Sequence, residues 1–129
     1  MARLADIVID CAHPAALARF WAASLDGYAV APYDDEELER LRSIGVADPE
    51  DDPSVLIVAT SDRPRLWFQR VPEPKQSKNR VHLDLRADDL DREVTRLTAL
   101  GATALDDQPV ADHVVMRDPE GNEFCVLAR

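Results

Sequence analysis

The chain has 129 residues, 46% apolar and 31% charged, enough to close a hydrophobic core without metal or disulfide staples. Its 25 acids outnumber 15 bases, giving a formal charge of −10, which argues against a sequence-independent hold on nucleic acid or anionic membrane, since both need a basic patch. No apolar run approaches membrane length, and Asp6 falls where a signal peptide would carry its apolar stretch, so a cytoplasmic protein is expected.

Leu4 to Cys11 alternates as a strand, with Ile7, Ile9 and Cys11 toward a core and Asp6, Val8 and Asp10 opposite. His13-Pro14 opens a helix, proline standing where a helix tolerates it. This position gives His13 a helix-start role ahead of a ligand role. Leu17, Phe20, Trp21 and Leu25 make the buried stripe and Gly27 ends it. Tyr28 to Pro32 reads as a short strand. Asp34 and Glu37 form a capping box, followed by a narrow seam of Leu38, Leu41 and Ile44. Val46 to Pro53 is acidic and punctuated by proline. The whole insertion 34–53 reads as a solvated surface segment, with a lid over a pocket as the sharper alternative. Ser54 to Thr60 and Arg65 to Val71 are strands joined by a turn at Ser61–Pro64, and Pro72 to Asn79 is a polar connector.

From Arg80 to Ala87 the alternation returns, with His82, Asp84 and Arg86 on one face and Val81, Leu83, Leu85 and Ala87 on the other. Asp88 or Asp89 caps a helix carrying Leu90, Val94, Leu97 and Leu100, and Gly101 closes it. Ala102 to Leu105 is a short strand. His113–Arg117 and Glu123–Leu127 form a hairpin around Asp118-Pro-Glu-Gly-Asn122. Asp6–Pro14 laid over His82–Leu90 exposes a repeat. The order is βαβββ twice: an α+β fold of one domain, with modules at about 1–73 and 79–129.

A row such as His82, Asp84 and Arg86 is unusual in a packed core, so these residues are expected to line a cleft. The alternatives are a hydrogen-bonded interior histidine and a plain ion pair of Arg86 with Asp84 or Asp10. His113 reads as a rim residue and Glu123 as an exposed strand residue. Cys11 and Cys125 fall inside strands and are expected to be reduced. The glycines at 27, 45, 101 and 121 build no phosphate loop, and neither a nucleophile elbow nor a CxxC pair occurs.

Asp118-Pro-Glu-Gly-Asn122 before a final strand, the strand–helix phrase at His82–Leu90, Phe20-Trp21, Phe68–Pro74 and Asn79–Leu85 together resemble the vicinal oxygen chelate superfamily. That group holds glyoxalase I, bleomycin-resistance proteins and extradiol dioxygenases, and the phrases at Phe20-Trp21, Phe68–Pro74 and Asn79–Leu85 resemble its small glyoxalase-like subgroup. The resemblance implies two βαβββ modules curling into a half-barrel mixed sheet around a cleft, and a homodimer. In metal-dependent members it implies one ligand from each of the first, fourth, fifth and eighth strands, two of them typically glutamate. By position these fall on Asp6, on Phe68 or its neighbours Trp67 and Gln69, on His82, and on Cys125.

An aromatic and a thiol in place of two carboxylates remove both the hard anionic ligands and the proton-moving base. The expectation is therefore a protein binding a small molecule through Asp6, Val8, Phe68, His82, Asp84 and Cys125, with no functional metal. Should an ion such as zinc bind, Asp6, His82 and Cys125 are its candidate ligands. That alternative is a divalent-metal-dependent lyase, isomerase or dioxygenase-like enzyme using Asp6 and His82. A scaffold with a plugged cleft is a third.

Overall fold

The computed structural model describes residues 1–108 and 112–129. They form two compact units, Met1–Pro74 and Lys75–Arg129, and each is a βαβββ module. The first runs β1 (Asp6–Cys11), α1 (Pro14–Ser24), β2 (Tyr28–Val30), α2 (Asp35–Ser43), a short 3-10 turn at Pro49–Asp51, β3 (Ser54–Ala59) and β4 (Arg65–Arg70). The second runs β5 (Asp84–Ala87), α3 (Leu90–Leu100), β6 (Thr103–Ala104), β7 (His113–Arg117) and β8 (Glu123–Ala128). Both sheets have the same order, β1-β4-β3-β2 and β5-β8-β7-β6. In each, the first and last strands pair in parallel and the others antiparallel. The architecture is mixed α+β.

In the first module α1 starts at Pro14, and the Leu25 N–H closes it on the Trp21 carbonyl. Its Leu17, Phe20 and Trp21 are buried, and the two rings meet edge to face at 5.3 Å. On the sheet, Val55, Ile57, Leu66 and Phe68 alternate with more exposed neighbours and are fully buried. They form the face that α1 covers. The second module repeats this with Leu97 of α3 and with Met116, Phe124 and Val126 of the sheet. The Asp89 carboxylate accepts the Arg92 N–H at 3.0 Å to start α3. Gly101 ends it at φ +119, a conformation that side chains resist.

Two sequence expectations change. The strand expected from Arg80 begins only at Asp84, so His82 precedes the ladder and only the Leu83 carbonyl, accepting the Cys125 N–H, extends it. The acidic insertion is not wholly solvated, because Asp52 is 1% exposed. Its carboxylate accepts the Tyr33 hydroxyl at 2.8 Å, the Arg40 guanidinium at 3.1 Å and the Ser54 N–H at 2.9 Å. A buried charge needs such a full set of partners. Burial, then the Asp52 carboxylate, pushes the Tyr33 hydroxyl well above its usual range. Asp34 caps α2 through the Glu37 N–H, while the Glu37 side chain turns to Arg40. Glu50 grips Arg19 of α1 through both oxygens, at 2.7 and 2.8 Å, so the insertion is tied to its own module.

The alternation of the paired strands β1 and β4 makes a direct stability test. Phe68→Ala should cost about 3–5 kcal/mol in urea unfolding. Val8→Thr, on the opposite face, should stay within about 0.5 kcal/mol. A reversed ranking would mean the two faces of the sheet are exchanged.

Candidate functional site

Each sheet keeps one face that its own helices leave uncovered. In the first module, β1 and β4 pair Asp6 with Arg65, Val8 with Trp67 and Asp10 with Gln69, so these six side chains share the open face. Val8 is 52% exposed. Leu56 of β3 stands in register beyond Trp67 and extends the apolar strip. Asp6 is engaged there by Arg65 in a two-pronged ion pair, at 2.7 and 3.0 Å, the geometry a carboxylate and a guanidinium prefer. Phe68, expected among the binding residues, lies in register with Ile9 on the helix-covered face and is fully buried. Trp67 is the aromatic that shares a face with Asp6 and Val8.

In the second module the parallel register sets Asp84 beside Cys125, with Val115 on the other side of the cysteine and Arg117 opposite Glu123. His82 turns toward Asp84, its Nε2 lying 3.4 Å from Oδ1. The donor atoms of His82, Asp84 and Cys125 all lie within 4.8 Å of one another. His82 and Asp84 remain accessible, at 45% and 56% of their side-chain surface. Asp84 thus pairs with the histidine rather than with Arg86. Burial pushes the Cys125 thiol up, the charge of Asp84 and its hydrogen bond push it further, and Lys78 opposes them. Both cysteines are free thiols, as the composition led us to expect. His113 opens β7 with its Nδ1 3.4 Å from Asp112.

The structure therefore brings together His82, Asp84 and Cys125 of the expected set. Asp6, Val8 and Phe68 belong to the first module. An imidazole, a carboxylate and a thiol suit zinc, which takes nitrogen, oxygen and sulfur ligands. They suit manganese or magnesium poorly, since those ions prefer oxygen-rich sets. As a metal site it would offer three protein ligands and an open position. Asp84 entered the sequence reading as a binding residue but not as a ligand, because only the strand register puts it next to Cys125.

Glu123 is the residue the sequence undervalued. Its side chain is only 11% exposed and lies 3.1 Å from the Lys75 ammonium. Its carboxylate also accepts the Asn79 N–H at 3.0 Å. Burial raises its pKa, but the backbone N–H donors and Lys75 outweigh burial and hold it below the usual carboxylate range. Just before it the Asp118 carboxylate, itself buried, accepts the N–H groups of Glu120 and Asn122 at 2.9 and 3.0 Å. With Gly121 at φ +87, that fixes the turn leading into β8.

Two βαβββ modules with this open-faced arrangement define the vicinal oxygen chelate class. The model described as "Glyoxalase-like domain" matches residues 6–127, and the chain belongs to that family. Among solved structures, a glyoxalase/bleomycin resistance protein/dioxygenase family enzyme from Burkholderia phytofirmans has 17% identity and a TM-score of 0.67, covering 98% of each chain. A hypothetical Staphylococcus aureus protein has 14% identity and a TM-score of 0.67, covering 100% of this chain and 95% of its own. The fosfomycin resistance protein FosX from Listeria monocytogenes, crystallised with Mn(II) and a dihydroxypropylphosphonic acid, has 11% identity and a TM-score of 0.66, covering 99% and 92%. At these identities the likeness is one of fold. No curated protein matches the sequence. No helix among the described residues is long and apolar enough to cross a membrane.

Two measurements check the electrostatics. Asp84→Asn should lower the Cys125 pKa, so iodoacetamide should alkylate this thiol faster at pH 8 than in the parent; an unchanged rate would mean Asp84 does not govern it. Because the folded pKa of Glu123 is depressed, its contribution to stability is complete above the unfolded value, about 4.3, and is lost as pH falls through the folded one. Glu123→Gln should therefore destabilise the protein at pH 7, with the difference from the parent shrinking in acid.

Proposed function

We propose that this protein binds a small molecule on an open sheet face and does so without a functional metal. The observation that carries the reading is the second module's open face, where accessible His82 and Asp84 stand beside a Cys125 thiol whose pKa is raised. A thiol held protonated next to a carboxylate donates a hydrogen bond to it and presents a polarisable, near-apolar surface. Asp84 and His82 then supply an acceptor and a titratable donor for ligand polar groups. In the first module the position in register with Val8 is Trp67, not a carboxylate, and Asp6 is already neutralised by Arg65. Two of the four positions that would hold an ion in metal-dependent relatives are thus an indole and an ion-paired acid. The Val8–Trp67–Leu56 strip offers apolar contact instead. The reading takes the protein as a cytoplasmic homodimer that binds no nucleic acid.

A second reading is favoured by the grouping of His82, Asp84 and Cys125: a zinc-type lyase, isomerase or dioxygenase-like enzyme. FosX from Listeria monocytogenes, crystallised with Mn(II), shares the fold. When bound, such an ion supplies Lewis acidity toward substrate oxygens. His82, from the segment before β5, and Cys125, from β8, would hold it, and Asp84 would complete the set and balance its charge.

Elemental analysis of untagged protein and a compound screen read by thermal shift separate the two. Under the first reading metal is substoichiometric, and a bound compound at 100 times its Kd adds about 2.7 kcal/mol, a gain that survives chelator. Stoichiometric zinc that disappears in His82→Ala would overturn the first reading in favour of the second.

A further inference from the structure

Although the chain is strongly acidic, a concavity among the described residues is lined largely by bases. A hollow of about 470 Å³ is walled by Lys75, Lys78, Arg117, Glu120, Gly121 and Glu123, all in the second module. Three cations thus face two carboxylates, the reverse of the whole-chain balance. Of the two carboxylates, that of Glu123 is committed. Glu123 takes the Lys75 ammonium and the Asn79 N–H. Glu120 has its backbone N–H fixed by Asp118. Lys75 is held in turn by Glu123 and by the Ser77 carbonyl. Neither Arg117 nor Lys78 has a carboxylate partner among the ion pairs of the described residues, and Lys78 touches only its neighbour's carbonyl, Asn79, at 3.4 Å.

The walls are prearranged. The Asp118 turn is pinned by four hydrogen bonds from Glu120 and Asn122 to its carboxylate. Segment 75–79 is tied to β8 through Glu123. Gly121 lines the hollow, and a β-carbon there would come to 4.0 Å from Lys75 Cγ. Cations carried on a strand and on a tethered segment bind an anion at lower entropic cost than cations on mobile chain, and a guanidinium beside an ammonium matches a planar or tetrahedral oxyanion.

We propose that this hollow binds the oxyanion group of a small molecule, a carboxylate, phosphate or phosphonate, with Arg117 and Lys78 as its principal contacts. Arg117 lies on the open sheet face directly opposite Glu123, and Cys125 follows two residues along that face. A molecule anchored by its oxyanion in the hollow therefore extends its remainder toward Cys125, Asp84 and His82. The inference rests on the small-molecule reading and deepens it by naming the charged group of the ligand.

The probes are inorganic phosphate and acetate, titrated into the 15N-labelled full chain at constant ionic strength. The expected result is saturable shifts of the Lys78, Arg117 and Gly121 amides with at least one probe, weakened about tenfold or more in Lys78→Gln/Arg117→Gln. Addition of sodium chloride should weaken binding as charges are screened. Preference for phosphate assigns the ligand a phosphoryl or phosphonyl group, and preference for acetate assigns a carboxylate. Shifts absent with both probes, scattered over the surface, or unchanged in the double variant would overturn the proposal. Because the probes do not depend on the compound screen, a silent screen with a working oxyanion site fails only the small-molecule reading. A screened compound that binds while leaving residues 75–78 and 117 unperturbed fails only the hollow.

Discussion

The parallel pairing of the first strand of each module with its last governs everything else in this structure. Parallel neighbours need a crossover, and the crossover carries a helix that packs on one face of the sheet. The opposite face is left to side chains alone. Because parallel strands stand about 4.8 Å apart, residues far apart in sequence become immediate neighbours there. Asp84 meets Cys125 and Asp6 meets Arg65 for this one reason. The chemistry of the molecule is thus a property of strand register before it is a property of residue type.

The two modules use that geometry in different ways. Asp6 in the first repeat corresponds to His82 in the second, and Arg65 corresponds to Glu123. In the first module the pair closes on itself as a bidentate ion pair, which leaves Asp6 little capacity for anything else. In the second, Glu123 is satisfied from outside the pair by Lys75 and the Asn79 backbone, and His82 turns to Asp84 instead. One half of the duplication has been sealed by mutual neutralisation. The other keeps an accessible imidazole, an accessible carboxylate and a thiol within one small area.

The sequence made the modules readable because period-2 alternation, helical spacing and the caps at Pro14, Asp89 and Gly101 are all local signals. Register is not local. Trp67 and Phe68 are adjacent aromatics, and nothing in their types says which one faces the helix; pairing with Val8 and Ile9 decides it. The alternation through His82 likewise ran past the point where the ladder begins, since an exposed strand and an extended approach to one look alike. Asp52 sat in an acidic run that composition assigned to solvent, yet it is fully enclosed with Tyr33 and Arg40. Glu123 was hidden for the same reason: its partners come from segment 75–79 at the start of the module, far from it in sequence.

What separates a binding face from a metal centre here is the proton on Cys125. Burial and the Asp84 carboxylate favour the thiol, and Lys78 favours the thiolate. While the proton stays, sulfur is a donor to Asp84, and the carboxylate has one fewer lone pair for an ion. A divalent cation held through the sulfur would have to displace that proton, so its affinity would rise with pH and carry the cost of deprotonation. A glutamate at this position would be ionised at neutral pH and impose no such barrier. An anion drawn to Lys78 would offset the one positive charge that helps the thiolate form. The hollow and the thiol are therefore electrostatically coupled, and an oxyanion ligand and a Cys125-bound metal pull that coupling in opposite directions.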